Sequence, residues 1–139
     1  MNTVTFILFG LLLHWNWGGS SPQFQKIGST SISEKQIAKI HFREIPNNMV
    51  EIEGTFYNDR NSEIFIDYKL SVTKSGQSKS TSNQSGNFTV ESKQKIVLSK
   101  STVNLNRNDL YKIKLRVLEN NRVIAEDSAT FYGDSIIQN

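Results

Sequence analysis

The side chains that could do chemistry in this chain are few and poorly spaced for it. Two histidines and no cysteine are present. Thiolate nucleophiles, Cys-ligated metals, disulfides and a lipid-anchored cysteine are therefore excluded. His14 lies just past an apolar N-terminal run. His41 alternates with Lys39 and Arg43 on what reads as a solvent face of a strand. With the N-terminal segment removed, His41 has no second histidine with which to hold zinc. Glu51 and Glu53 share a strand face and imitate a carboxylate pair, but alternate outward glutamates are ordinary surface. Serines are abundant, yet none sits in a Gly-x-Ser-x-Gly elbow or beside a base held in place. These absences point away from an enzyme, and no cofactor or metal motif is found. Asn83-Gln84-Ser85 and Asn87-Phe88-Thr89 fit the glycosylation pattern, which arises readily by chance in a stretch so rich in Asn and Ser.

Charge is the more informative chemistry. The formal net charge of +3 hides a basic middle: between Tyr68 and Leu118 there are ten Lys or Arg against two acidic residues, Glu91 and Asp109. Lys112, Lys114 and Arg116 alternate along one strand face, about 6.5 to 7 Å apart by strand geometry, and a neighbouring strand can add Lys69. Such a stripe attracts acidic partners over a range of about 10 Å at 0.1 M salt. The plainer alternative is a solvated face that discourages edge-to-edge sheet pairing. Nucleic acid fits poorly, because the aromatics lie mostly on inward faces instead of interleaving with the basic residues as a stacking platform requires.

The elements that must position this stripe are strands. Residues 64–74 and 110–119 alternate strongly between apolar and polar, the period of a strand with one buried face. Ile64, Ile66, Tyr68, Leu70 and Val72 form the longest inward stripe, which predicts a central strand. Tyr111, Ile113, Leu115 and Val117 form the next. Residues 37–43, 49–57, 87–91, 95–105 and 122–131 supply the remaining extended segments, with Phe88, Val90, Ile96, Leu98, Val103 and Leu105 available to the core. Gly54 marks a bulge or a close backbone approach. Turns are signalled by Pro46-Asn47-Asn48, Asn58-Asp59-Arg60-Asn61, Asn106-Arg107-Asn108-Asp109 and the two-residue Asn120-Asn121. Residues 75–86 hold five Ser, two Gly and two Gln with no apolar side chain, which predicts an exposed loop. About seven strands at this spacing, with no internal repeat, predict an all-β fold: an immunoglobulin-like antiparallel β-sandwich.

The chain of 139 residues is long enough for one such domain, at residues 37–132. Residues 4–13 are an apolar run too short for the roughly 20 residues of a membrane-spanning helix. Gly18, Gly19 and Ser20 then suit cleavage before Ser21, so residues 1–20 read as a signal peptide despite the absence of Lys or Arg at the start. Residues 21–36 read as a polar linker and 133–139 as a tail. Export implies the periplasm or the exterior.

The segments Tyr68-Lys69-Leu70-Ser71-Val72-Thr73-Lys74-Ser75-Gly76, Ser82-Asn83-Gln84-Ser85-Gly86-Asn87-Phe88, Leu98-Ser99 with Val103-Asn104-Leu105, Asp109-Leu110-Tyr111 and Arg122-Val123-Ile124-Ala125-Glu126 follow one another in an order that resembles the curli-assembly proteins of the CsgC/CsgH type. The resemblance covers roughly half the chain, residues 64–127. It implies a small periplasmic, immunoglobulin-like, monomeric protein that holds back amyloid formation by curlin subunits, with no cofactor and no membrane association after signal cleavage. One branch carries a Cys-x-Cys pair; the cysteine-free chain resembles the CsgH branch. The face bearing Lys69, Lys112, Lys114 and Arg116 is then the expected partner-binding site. An exported structural or adhesive module associated with surface fibres shares the leader and the sandwich and is the alternative.

Overall fold

The computed structural model describes residues 36–137. The expected signal peptide and all but the last residue of the linker lie outside the described residues. The described chain forms seven strands: β1 (Gln36–Ile45), β2 (Met49–Asn58), β3 (Ile64–Ser75), β4 (Ser80–Val90), β5 (Lys95–Asn104), β6 (Leu110–Glu119) and β7 (Arg122–Tyr132), followed by a one-turn helix α1 (Asp134–Ile137). They make two antiparallel sheets, one in the order β1-β2-β5 and the other β4-β3-β6-β7. This is the immunoglobulin-like sandwich that the alternating pattern predicts.

The alternating stripes explain why these residues form these strands. On β3, Ile64, Ile66, Tyr68, Leu70 and Val72 all point inward, and β3 is central, between β4 and β6. On β6, Tyr111, Ile113, Leu115 and Val117 are buried, while Lys112, Lys114 and Arg116 are exposed. Val50, Ile52 and Phe56 of β2 and Ala38 and Ile40 of β1 meet them from the other sheet. Burying each such Val, Leu, Ile or Phe contributes about 1.5–3 kcal/mol, which offsets the backbone entropy lost in ordering the strands.

Turn chemistry sets the registers. Asn120 and Asn121 take φ of 49° and 63°, as a two-residue turn between right-twisted strands demands. Asn47 and Asn48 do the same after Pro46, at 70° and 54°. The pairing of β2 with β5 shifts between Gly54 and Thr55, the bulge that Gly54 signalled. A Cβ on Gly54 would lie 3.0 Å from Ser99 Oγ and 3.4 Å from Leu115, so the glycine also permits close approach of the two sheets.

Three side chains not singled out for these roles hold the ends and one flank. The Tyr111 hydroxyl donates to the Asn104 carbonyl at 2.7 Å and accepts the Asn106 amide at 3.0 Å, a tyrosine corner at the start of β6. Fully buried Asn58 donates through Nδ2 to the carbonyls of Ser62, Val90 and Glu91, tying the β2–β3 connection to the end of β4. Asp127 of β7, also buried, accepts the Ile40 amide of β1 at 2.9 Å and the Ser128 amide at 3.0 Å. That carboxylate joins the two sheets along one flank.

The structure corrects three expectations. Residues 80–86 are not loop: they belong to β4, which pairs with β3 at every position from Lys74↔Ser80 to Ile64↔Val90. An edge strand is held by main-chain bonds along one side and needs no apolar side chains, so composition misleads here. Phe88 is not in the core. It is 36% exposed and stacks on Tyr68 with ring centroids 6.0 Å apart. Gly133 is not a free tail either, since its amide donates to the Asp109 carbonyl at 3.0 Å and that of Asp134 to Arg107 at 3.0 Å. A Cβ on Gly133 would sit 1.9 Å from the Asn106 carbonyl oxygen, so only glycine allows this approach.

Candidate partner-binding face

The outer surface of the four-stranded sheet is built from residues alternating with the core stripe. From β3 come Lys69, Ser71 and Thr73, and directly across on β6 stand Arg116, Lys114 and Lys112 respectively. The next strand, β7, sets Glu126 opposite Arg116, Ser128 opposite Lys114 and Thr130 opposite Lys112. On the other flank, β4 sets Ser85 opposite Lys69, Asn83 opposite Ser71 and Thr81 opposite Thr73. The result is a cationic centre framed by hydroxyls and amides, with a shallow groove of about 550 Å³ running over it.

All four cations singled out by sequence therefore share one surface. Lys69 and Arg116 are closer than the alternation alone required, because the β3–β6 register makes them direct cross-strand partners. Like charges so placed destabilise a sheet. Glu126 supplies the ion-pair compensation, at 3.9 Å from both Lys114 Nζ and Arg116 Nε, and Asp67 stands on the same face two residues from Lys69. Among the described residues, no carboxylate comes within ion-pair distance of Lys69 or Lys112. Glu126 and the hydroxyl frame were not singled out by sequence. Their signal lay in the polar half of β7, which becomes readable only once its register with β6 is known.

The other chemistry-bearing residues serve the scaffold. His41 Nε2 lies 3.1 Å from Thr55 Oγ1, and Glu51 and Glu53 pair with Arg43 and Lys100. Asp109 accepts the Asn106 side-chain amide and pairs with Lys74 at 3.0 Å. Those two contacts hold its carboxyl below the usual carboxylate range, the Asn106 hydrogen bond contributing most. Its hydrogen bond to Asp109 in turn raises Lys74. Among the described residues no cluster of three His, Cys, Asp or Glu could hold a metal, and no helix is long and apolar enough to cross a membrane.

No family model matches the chain, and no curated protein matches it. Solved structures do. The solution structure of CsgH from R. palustris superposes with a TM-score of 0.51 at 18% identity, covering 73% of this chain and 95% of that one. The curli protein CsgC from E. coli gives 0.52 at 18% identity, covering 68% and 97%. A putative beta-galactosidase from Bacteroides fragilis gives 0.51 at 14% identity, covering 72% of this chain but only 18% of its own. At these identities what is shared is the fold. It stands as nearly the whole of two curli proteins and as a small part of a large enzyme, so function has to be argued from the surface.

Proposed function

We propose that this chain is an exported curli-assembly accessory protein that restrains the polymerisation of curlin-type amyloid subunits through brief contacts with its cationic face. The observation that carries this reading is the Lys69–Arg116 juxtaposition, in which four exposed cations share one face with two carboxylates, Glu126 and Asp67, and only Glu126 comes within ion-pair distance of any of them. A sheet surface that only needed solubility would intersperse both signs. The fold shared with CsgH and CsgC supplies the context.

The physics of fibre growth fits. Amyloid subunits extend a fibril by adding strands, each satisfying the main-chain bonds of the last. A rigid sandwich that attracts an acidic stretch of subunit or nucleus delays that addition without sharing in it. Charge raises encounter rates more than it lengthens residence, so contact is transient and few inhibitor molecules serve many clients. In this reading the leader at residues 1–20 delivers a monomer to the periplasm. The work is non-enzymatic and involves neither nucleic acid nor, after cleavage, a membrane.

The test is to replace Lys69, Lys112, Lys114 and Arg116 together by Glu and follow curlin fibrillation by dye fluorescence. The wild-type protein, added well below the concentration of curlin, is expected to lengthen the lag, and the variant to lose that effect. An undiminished lag would overturn the electrostatic reading. Recovery of the protein in the fibre pellet in stoichiometric amount would identify a fibre component instead.

A further inference from the structure

A β-sandwich has four sheet edges, and three of these are guarded. The edge of β1 carries Lys39, His41 and Arg43, and its Ile40 amide is occupied by Asp127. The edge of β7 carries Arg122, Glu126 and Asp127, and its pairing with β6 breaks register between Val117 and Leu118. The edge of β5 carries Lys95 and Lys100, and its pairing with β2 shifts at Gly54. Charge and bulges are the devices by which native sheets prevent strand addition.

The fourth edge has neither. β4 reads Ser-Thr-Ser-Asn-Gln-Ser-Gly-Asn-Phe-Thr-Val over Ser80–Val90, with no charged residue and no proline. Its register with β3 is unbroken over its whole length of 11 residues, which keeps the edge regular. Most of its side chains are exposed, and among the described residues no strand pairs with its far side. Alternate residues therefore point their N–H and C=O groups outward along a regular row.

Charge identifies the occupant. A strand added to β4 lies about 10 Å from β3, two strand spacings, which brings its side chains on the outer face within electrostatic reach of Lys69 and of Asp67 beside it, so the net pull comes from the further cations. Beyond Lys69 on the same surface are Arg116, Lys114 and Lys112. A second copy of this chain, joined β4 to β4, would set two such cationic surfaces side by side and is disfavoured. An acidic strand is favoured. Its polar residues would meet Asn83, Ser85 and Asn87, whose amides and hydroxyls donate and accept equally well.

We infer that β4 is a docking edge, which takes an extended, acidic, amide- and hydroxyl-rich peptide segment by antiparallel strand addition, the cationic face selecting for acidic side chains. The inference concerns main-chain atoms of an edge, not the side chains of the face, and holds whether or not the client is a curlin subunit.

The probe is a ten-residue peptide alternating aspartate with serine or asparagine, together with a copy N-methylated at every residue, which keeps the side chains but cannot donate main-chain hydrogen bonds. Amide hydrogen exchange is followed by NMR on the isotope-labelled protein. Under conditions of about four-fifths occupancy, the first peptide is expected to slow alternate β4 amides about fivefold while the methylated copy leaves them unchanged. Equal effects from both peptides would mean binding by charge alone and would overturn the docking edge while leaving the proposed function intact. No slowing by either peptide would overturn it too. So would protection of β4 that is present without peptide and disappears on dilution, since that would identify self-pairing.

Discussion

On the outer face of the three-stranded sheet, Glu51 is met by Arg43 at 2.9 Å and Lys100 at 3.7 Å, and Lys100 also reaches Glu53 at 3.2 Å. On the outer face of the four-stranded sheet, Lys114 and Arg116 reach Glu126 only at 3.9 Å, and Lys69 faces Arg116 directly. Both surfaces sit on the same core and are made by the same alternation, so folding does not require the difference between them. One face holds its two carboxylates, Glu51 and Glu53, in pairs with Arg43 and Lys100. The other pairs its cations only at 3.9 Å and sets Lys69 directly against Arg116, at some cost in cross-strand repulsion, and the proposed partner contact rests on that difference.

The largest effect that would break this contrast is obtained by moving the charge reversal to the other face. Replacing Lys39, Arg43, Lys95 and Lys100 by Glu changes the net charge as much as reversing the four proposed contact residues. It is expected to leave most of the lag extension in place, and raising the salt from about 0.05 to 0.5 M should remove it from the wild type by shortening the screening length. Equal loss from either set would show that total charge, and not the face, is what acts.

A smaller effect separates the faces from the scaffold. Tyr111→Phe leaves both surfaces untouched but strands the Asn104 carbonyl and the Asn106 amide, so urea unfolding should show a loss of about 1–3 kcal/mol. Inhibition per folded molecule should not change. A variant that stayed folded yet lost inhibition would place the activity at the β5–β6 end of the molecule.

The smallest effects sharpen the contrast most. Lys69→Ser removes a like-charge neighbour of Arg116 and should stabilise the fold by a few tenths of a kcal/mol, whereas Lys100→Ser removes a paired cation and should cost up to about 1 kcal/mol. Thermal unfolding of the two variants side by side measures the sign. Stabilisation in both, or loss in both, would mean that the two faces are energetically alike.

Much of this architecture can be read from residue spacing, for a definite reason. Where one face of a strand is buried, as from Ile64 to Val72 and from Tyr111 to Val117, the side chains themselves carry the period of two. Asn120-Asn121 and Gly54 were readable because backbone geometry limits which residues fit there. The first part of β4, Ser80 to Gly86, was not readable, since its place in the sheet depends on main-chain bonds that any sequence can make. Asp127 is a buried link between sheets that the sequence did not signal, because hydrogen bonds between residues so distant in sequence leave no local pattern. The same limit applied to the cationic face. The alternation of Lys112, Lys114 and Arg116 was visible, but the register that sets Lys69 against Arg116 and brings Glu126 alongside comes from pairing three strands.

The Asp127 carboxylate, by holding the Ile40 amide, closes the flank where β1 meets β7. With the bulged, lysine-bearing β5 at the remaining corner, β4 is the one unguarded edge among the described residues, and docking there, as inferred above, would give a strand-adding valence of one. A unit with a single adhesive side ends a growing stack and cannot bridge two neighbours. One such cap at each fibril tip would be sufficient, so its potency would scale with the number of tips and not with the mass of polymer.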